Sequence, residues 1–243
     1  MRFCIIADVH GNLEALLAVS EKIKSYGKNI DKIMCLGDIV GYGADPSECI
    51  RITSEISDVI LAGNHDFAVC ELTSIEDFNN YAKEAVLWSR QQLDKKEIDF
   101  LKGLPFTHSE RDMDFAHSSL HRPESWRYLS GTPDTYIDFQ IMEKNLLFVG
   151  HTHVPVIFEN SGVQVKRINL PELTLDPEKK YIINPGSVGQ PRDRDPKASF
   201  AIFDSGIKSV ETIRVEYDIE KAQEKILNAG LPEVLATRLS YGG

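Results

Sequence analysis

The sequence has no uninterrupted apolar run near the ~20 residues that a membrane-spanning helix requires, so no membrane association is expected. No secretory leader is expected either, because the apolar stretch Phe3–Ala7 is short and runs directly into Asp8 and His10. Cysteine is scarce: Cys4, Cys35, Cys49 and Cys70 stand apart with no CxxC spacing. That argues against a disulfide framework or a thiolate metal site and for reduced core thiols. A cytoplasmic location is the resulting expectation. Basic charge is short too, with 27 Lys and Arg against 37 Asp and Glu and a formal net charge of -10. This excludes a general nucleic-acid binder, which needs a basic face. It does not exclude a phosphate-bearing substrate, since cations in an acidic pocket can reverse the local field.

What is present is an ordinary globular composition, 42% hydrophobic and 26% charged over 243 residues, enough for one large domain spanning 1–243. Apolar β-branched runs at Arg2–Ala7, Lys32–Leu36 and Asp58–Ala62 alternate with helical spacing at Leu13–Ile23 and Pro46–Ile52. That alternation predicts parallel strands joined by crossover helices. Glu76–Leu101 reads as helical with a break at Leu93–Asp94 and with Leu87 and Trp88 facing inward. Beyond Pro105, short β-like runs joined by turns predict mostly antiparallel strands. Residues 121–143, with Trp126, Tyr128 and Tyr136, form the candidate cap insertion, and residues 218–243 read as closing helices started by an Asp218 cap.

Four blocks place Asp, Asn or His directly after an apolar strand: Asp8-Val9-His10, Gly37-Asp38, Gly63-Asn64-His65-Asp66 and Gly150-His151-Thr152-His153. His117 ends Met113–Ala116 in the same way. Ligands of α/β folds gather at strand carboxyl ends, so these distant blocks can converge. Carboxylate, imidazole and amide oxygen together suit divalent Mn, Fe, Zn, Ni or Co. Asp8 would serve as a plain helix cap in the simplest reading, but a cap does not require His10 or the other blocks.

The ordered set resembles the calcineurin-like metallophosphoesterase superfamily over about residues 2 to 190. The longer strings ADVHGN, LGDIVGYG and NPGSVGQPR are similar to its bacterial and archaeal phosphodiesterase branch. The resemblance implies a four-layer αββα sandwich of two facing mixed sheets, with a metal site at strand C-terminal ends. It implies two divalent cations, manganese before Fe, Zn, Ni or Co: one held by Asp8, His10 and His153, the other by Asn64, His117 and His151, with Asp38 bridging. It further implies hydrolysis of a small phosphodiester or phosphoanhydride, a nucleotide by preference, through in-line attack of a hydroxide between the cations. His65 is then free to act on the leaving group or the pentavalent transition state, with Asp66 orienting it. The fourth-block histidine of the family is usually followed by Gly, whereas His117 precedes Ser118, which leaves His108 and His121 as competitors.

Around this set, Tyr42 either packs as an ordinary aromatic or lines the mouth. Arg192 is a solvated loop charge or a phosphate contact, Asn184 a turn residue or a substrate contact. Trp126 and Tyr128 are core aromatics or a stacking platform for a nucleobase. Two other functions share the fold. A protein serine/threonine phosphatase usually carries Arg after the GD block and GNHE in the third, against Gly41-Tyr42-Gly43 and Asp66 here. A non-catalytic scaffold tends to lose histidines that this chain keeps.

Overall fold

In the computed structural model, which describes residues 1–243, the chain opens on three strand-to-helix units. Strand β1 (Arg2–Ile6) leads to helix α1 (Leu13–Ser25), β2 (Lys32–Cys35) to α2 (Pro46–Ile56), and β3 (Val59–Ile60) to the short α3 (Asn64–Val69). Helices α4 (Asn80–Gln92) and α5 (Lys95–Lys102) follow, divided where Asp94 accepts from the backbone N–H of Lys96 and Glu97 and caps the second. Then come β4 (Thr107–Glu110), β5 (Met113–Ala116), α6 (Tyr136–Ile141), β6 (Leu146–Phe148), β7 (Val156–Asn160), β8 (Val165–Ile168), β9 (Glu172–Thr174) and β10 (Lys180–Asn184). Strands β11 (Ala198–Asp204) and β12 (Ser209–Val215) and helices α7 (Ile219–Asn228) and α8 (Glu233–Thr237) complete it.

The strands form two six-stranded mixed sheets, ordered β3-β2-β1-β11-β12-β9 and β4-β5-β6-β10-β7-β8. The opening three pair in parallel, as strand-helix alternation requires. Later strands pair mostly antiparallel, with β5–β6 and β6–β10 the parallel exceptions. Period-two alternation assigns the layers. Phe3 and Ile5 join Met34, Phe115, Phe148, Ile183 and Phe203 between the sheets, while Cys4 and Ile6 point the other way, to Leu16, Val19 and Cys49 of the helices. On the far side of the second sheet, Leu147, Phe158 and Ile182 pack with Leu129 and with Phe139 of α6. The result is the αββα sandwich. All four cysteines are buried and unbridged.

Two expectations need correction. Leu87 faces outward at 43% exposure, because the buried stripe of α4 runs Ala82, Ala85, Val86, Ser89. Strand β9 was not expected: Glu172-Leu173-Thr174 is too short and polar to signal itself, and is made a strand by pairing with the edge of β12.

Phe148 is fully buried between the sheets, 5.4 Å from the ring centre of Phe115 and 5.8 Å from that of Phe203. Phe148→Ala should therefore lower unfolding free energy by about 3–5 kcal/mol, measured by denaturant titration. A loss below about 1 kcal/mol would contradict the two-sheet core.

Candidate metal centre

The five blocks lie at strand ends or in the loops that follow. Asp8 and His10 follow β1, Asp38 follows β2, Asn64 and His65 open α3 after β3, His117 follows β5, and His151 and His153 follow β6. Strands β1–β3 belong to one sheet and β5–β6 to the other, so the site sits where the two sheets' C-terminal ends meet. Asp8, His10, Asp38, Tyr42, His151 and His153 all take left-handed backbone, with φ between 50° and 66°. Such conformations cost on the order of 1 kcal/mol or more each for non-glycine residues and persist only where neighbours enforce them. Here the neighbours are hydrogen bonds between blocks: Asp8 N to Gly37 O at 3.0 Å, His10 N to Asp38 O at 2.9 Å, and His151 N to the Asp8 carboxylate at 3.1 Å.

Each predicted ligand histidine has one ring nitrogen committed to a backbone carbonyl. Nδ1 of His10 donates to Val40 O (3.1 Å), of His117 to Leu36 O (2.9 Å) and of His153 to Gln190 O (2.7 Å), while Nε2 of His151 donates to Trp126 O (2.9 Å). A carbonyl only accepts, so that nitrogen carries a proton and the opposite nitrogen is the one that can present a lone pair to a metal. Those opposite nitrogens converge. His10 Nε2 lies 3.0 Å from His153 Nε2 and 3.5 Å from Asp38 Oδ2. His117 Nε2 lies 3.3 Å from the same Asp38 Oδ2, 3.2 Å from His151 Nδ1 and 3.3 Å from Asn64 Oδ1. His153 Nε2 is 3.6 Å from Asp8 Oδ1. The carboxylate and imidazole donors thus form two groups, Asp8/His10/Asp38/His153 and Asp38/His117/His151, that share Asp38.

The donor set fits divalent cations. A metal–ligand distance of ~2.1 Å implies ligand–ligand edges of about 3.0 Å in an octahedron and about 3.4 Å in a tetrahedron. The observed separations run from 3.0 to 3.6 Å, from the octahedral edge to slightly beyond the tetrahedral one. The electrostatics point the same way. Burial holds His10, His153 and His151 below the usual imidazole range, the last at about 3. Burial would also lower His117, but the Asp38 carboxylate outweighs it and pushes that imidazole up to about 9. Burial pushes Asp8 up to about 7. Within this buried cluster it is Asp38 that draws positive charge, as the raised His117 shows.

His65 stands among these groups without joining them. Its ring is 4.8 Å from that of His10, 4.5 Å from that of Tyr42 and 4.9 Å from that of Phe78. Nδ1 is buried without a partner, and a side chain at Gly41 would put Cβ 2.5 Å from it, so Gly41 keeps the space that the imidazole occupies. Asp66 does not orient this ring. Its two oxygens accept from the backbone N–H of Asp38, Ile39, Val40 and Gly63, tying the second block to the third. The amide of Asn184 is likewise committed: Nδ2 donates to Gly150 O and Thr152 Oγ1, and Oδ1 accepts from Gly186 N. It supports the loop beneath His151, the turn reading. Tyr42 is buried against His10, with the Arg192 guanidinium 5.6 Å from its ring centre. His108 faces Glu110 on β4, and neither it nor His121 belongs to the two donor groups. The carbonyls of Leu36, Val40, Trp126 and Gln190 that fix these rings are backbone groups, which no side-chain pattern signals.

Beside the cluster opens a cleft of about 360 Å³, lined by Asn64, His65, Phe78, Trp126, Tyr128 and His151 among others. Tyr128 is 54% exposed and stacks on His151 with ring centres 4.0 Å apart, while Trp126 is held by its Nε1 to Thr73 Oγ1 at 3.1 Å.

A fold of this kind, with two carboxylate–imidazole clusters sharing one aspartate, is that of the calcineurin-like phosphoesterases. The chain belongs to the calcineurin-like phosphoesterase superfamily, whose domain description matches residues 1–206. It is 44% identical to an uncharacterized protein of Methanocaldococcus jannaschii over 242 residues, 98% of this chain and 97% of that one. The crystal structure of a metallophosphoesterase from Sphaerobacter thermophilus superposes with a TM-score of 0.87 at 40% identity, covering 100% of this chain and 99% of the other. A shorter stretch of 64 residues is 38% identical to a symmetrical bis(5'-nucleosyl)-tetraphosphatase of Psychromonas ingrahamii, 26% of this chain and 23% of that protein.

Because His117 is raised to about 9, it carries a proton at neutral pH, and a metal ligand must give that proton up. Calorimetric titration with Mn²⁺ at pH 7 in buffers of different ionisation enthalpy should show about one proton or more released per chain, with affinity rising toward pH 9. Proton-neutral binding would contradict the arrangement.

Proposed function

We propose that the chain is a divalent-metal-dependent hydrolase of a small phosphodiester or phosphoanhydride, a nucleotide by preference. Asp8, His10 and His153 would hold one cation, Asn64, His117 and His151 the other, and Asp38 both. The observation that carries this reading is the convergence of imidazole nitrogens on Asp38 Oδ2 from two sides, His10 at 3.5 Å and His117 at 3.3 Å. Cations bound there supply Lewis acidity toward a phosphoryl oxygen and bring a water's pKa toward neutrality, which suits in-line displacement at phosphorus.

The chain's own groups do the rest. His65 is held neutral at physiological pH, its imidazole lowered to about 4 by burial. With Nδ1 buried and unpartnered, a lone pair there is less costly than an N–H, which puts the proton on Nε2. From the wall of the cleft that N–H donates to charge developing on the leaving oxygen or the phosphoryl group. Gly41 fixes the ring's position and Asp66 fixes the loop that carries Asp38. The cleft volume and the exposed Tyr128 ring suit a nucleoside, with residues 121–143 forming one wall as a cap. The local likeness to a bis(5'-nucleosyl)-tetraphosphatase supports a nucleotide phosphoanhydride.

Metal-reconstituted protein, assayed against a phosphomonoester, a phosphodiester and a dinucleoside polyphosphate with chelator controls, should turn over the last two fastest. In the same assay His65→Asn should retain its metal content and lose about 10²–10⁴ in kcat. An unchanged kcat removes His65 from the chemistry, and turnover that survives full chelation removes the cations.

A further inference from the structure

The cleft beside the metal centre carries a charge that nothing in the protein answers. One wall is the chain between α3 and α4, which turns where Phe78 N donates to Ile75 O at 3.0 Å and enters α4 through the Asn79 cap. Phe78 sets this wall against the site, its ring 4.9 Å from that of His65. Asp77, the residue before it, lines the cleft and is exposed. Its polar neighbours in the lining already hold other groups. Thr73 Oγ1 accepts from Trp126 Nε1 at 3.1 Å, Ser74 Oγ from Glu76 N at 3.2 Å and Asn79 Oδ1 from Ala82 N at 2.9 Å. Ser125 Oγ donates to Arg122 O at 2.7 Å. The Asp77 carboxylate makes no hydrogen bond and no ion pair. Lys83, the nearest lysine in the sequence, donates to Glu76 O at 2.8 Å instead. No lysine or arginine lines the cleft at all.

An ionised carboxylate only accepts hydrogen bonds, so a free one welcomes N–H and O–H groups. With no cation beside it, it also repels an incoming anion, and such repulsion is a means of rejecting the wrong ligand. Phe78, Trp126 and Tyr128 supply the flat apolar surfaces of the same cleft. We infer that Asp77 is a specificity-determining residue. It admits to the cleft an organic group that bears hydrogen-bond donors and no negative charge, as the hydroxyls and amino groups of a nucleoside are, and it turns away a phosphate or a carboxylate. This rests on the proposed phosphoesterase reading and refines it. Of the parts of a nucleotide, the nucleoside occupies the cleft, and any phosphates beyond the one addressed at the metal centre extend away from Asp77.

The test is a ratio. Calorimetry on the metal-loaded protein, with metal content checked after each titration, compares carbamoyl-benzylphosphonate with carboxy-benzylphosphonate, each as the meta and the para isomer. Their C–P bond resists hydrolysis. Within a pair the ligands differ only as amide against carboxylate, nearly the same in shape, so the contribution of the phosphonate cancels. Wild type should bind the amide about fivefold more tightly in at least one pair, the worth of one solvent-accessible charge contact. Added salt should shrink that preference. Asp77→Asn should bring the ratio near unity, and Asp77→Lys should invert it. Asp77 is exposed and caps no helix, so both variants should unfold at the wild-type temperature. Equal binding of amide and carboxylate to wild type in both pairs, or a ratio indifferent to both substitutions, overturns the inference. The phosphoesterase reading fails differently: metal-dependent hydrolysis of phosphate esters is then absent while the ratio and its inversion stand.

Discussion

One buried carboxylate organises this molecule. Asp38 leaves the end of β2 in a left-handed conformation, lies within 3.5 Å of imidazole nitrogens from two directions, and receives the backbone N–H of His65 on its other oxygen at 2.8 Å. Nothing about an isolated strand end favours such a placement, since burial disfavours the charge and the backbone is strained. The surrounding structure over-determines it. Asp66 clamps the Asp38 loop through three of its backbone N–H groups, and a Cβ at position 63 would fall 2.0 Å from Asp38 Oδ1, so only glycine fits there. The carboxylate is stable as an anion because positive charge is available on its far side, from His117 here and from cations in the proposed function.

The same logic explains how the two sheets serve the site. Asp8, His10, Asp38 and Asn64 come from the first sheet's strand ends, and His117, His151 and His153 from the second's. Packing of Phe3, Phe148 and Phe203 between the sheets therefore sets the distance between the halves of the cluster. Carbonyl-to-imidazole hydrogen bonds then set each ring's rotation. The geometry is imposed by rigid layers and backbone groups, which is what pre-organised chemistry requires.

Much of this was legible in the residues. Strand-helix alternation revealed the parallel half, and the abrupt appearance of Asp, Asn or His at the end of apolar runs marked every residue of the two clusters. His117 was distinguishable from His108 by its place at the end of β5, despite Ser118. Other features were not legible for physical reasons. The role of Asp66 depended on backbone N–H groups of another loop, and that of Asn184 on the carbonyl of Gly150. Leu87 was misjudged because one apolar residue does not fix the rotation of a helix; the stripe Ala82, Ala85, Val86, Ser89 does.

The central claim is that seven side chains surround two cations with Asp38 between them. A crystal grown with Mn²⁺ and measured at the manganese absorption edge tests it directly. The account predicts two anomalous peaks per chain about 3.5–4 Å apart, on either side of Asp38. A single peak, or peaks remote from Asp38, would contradict it.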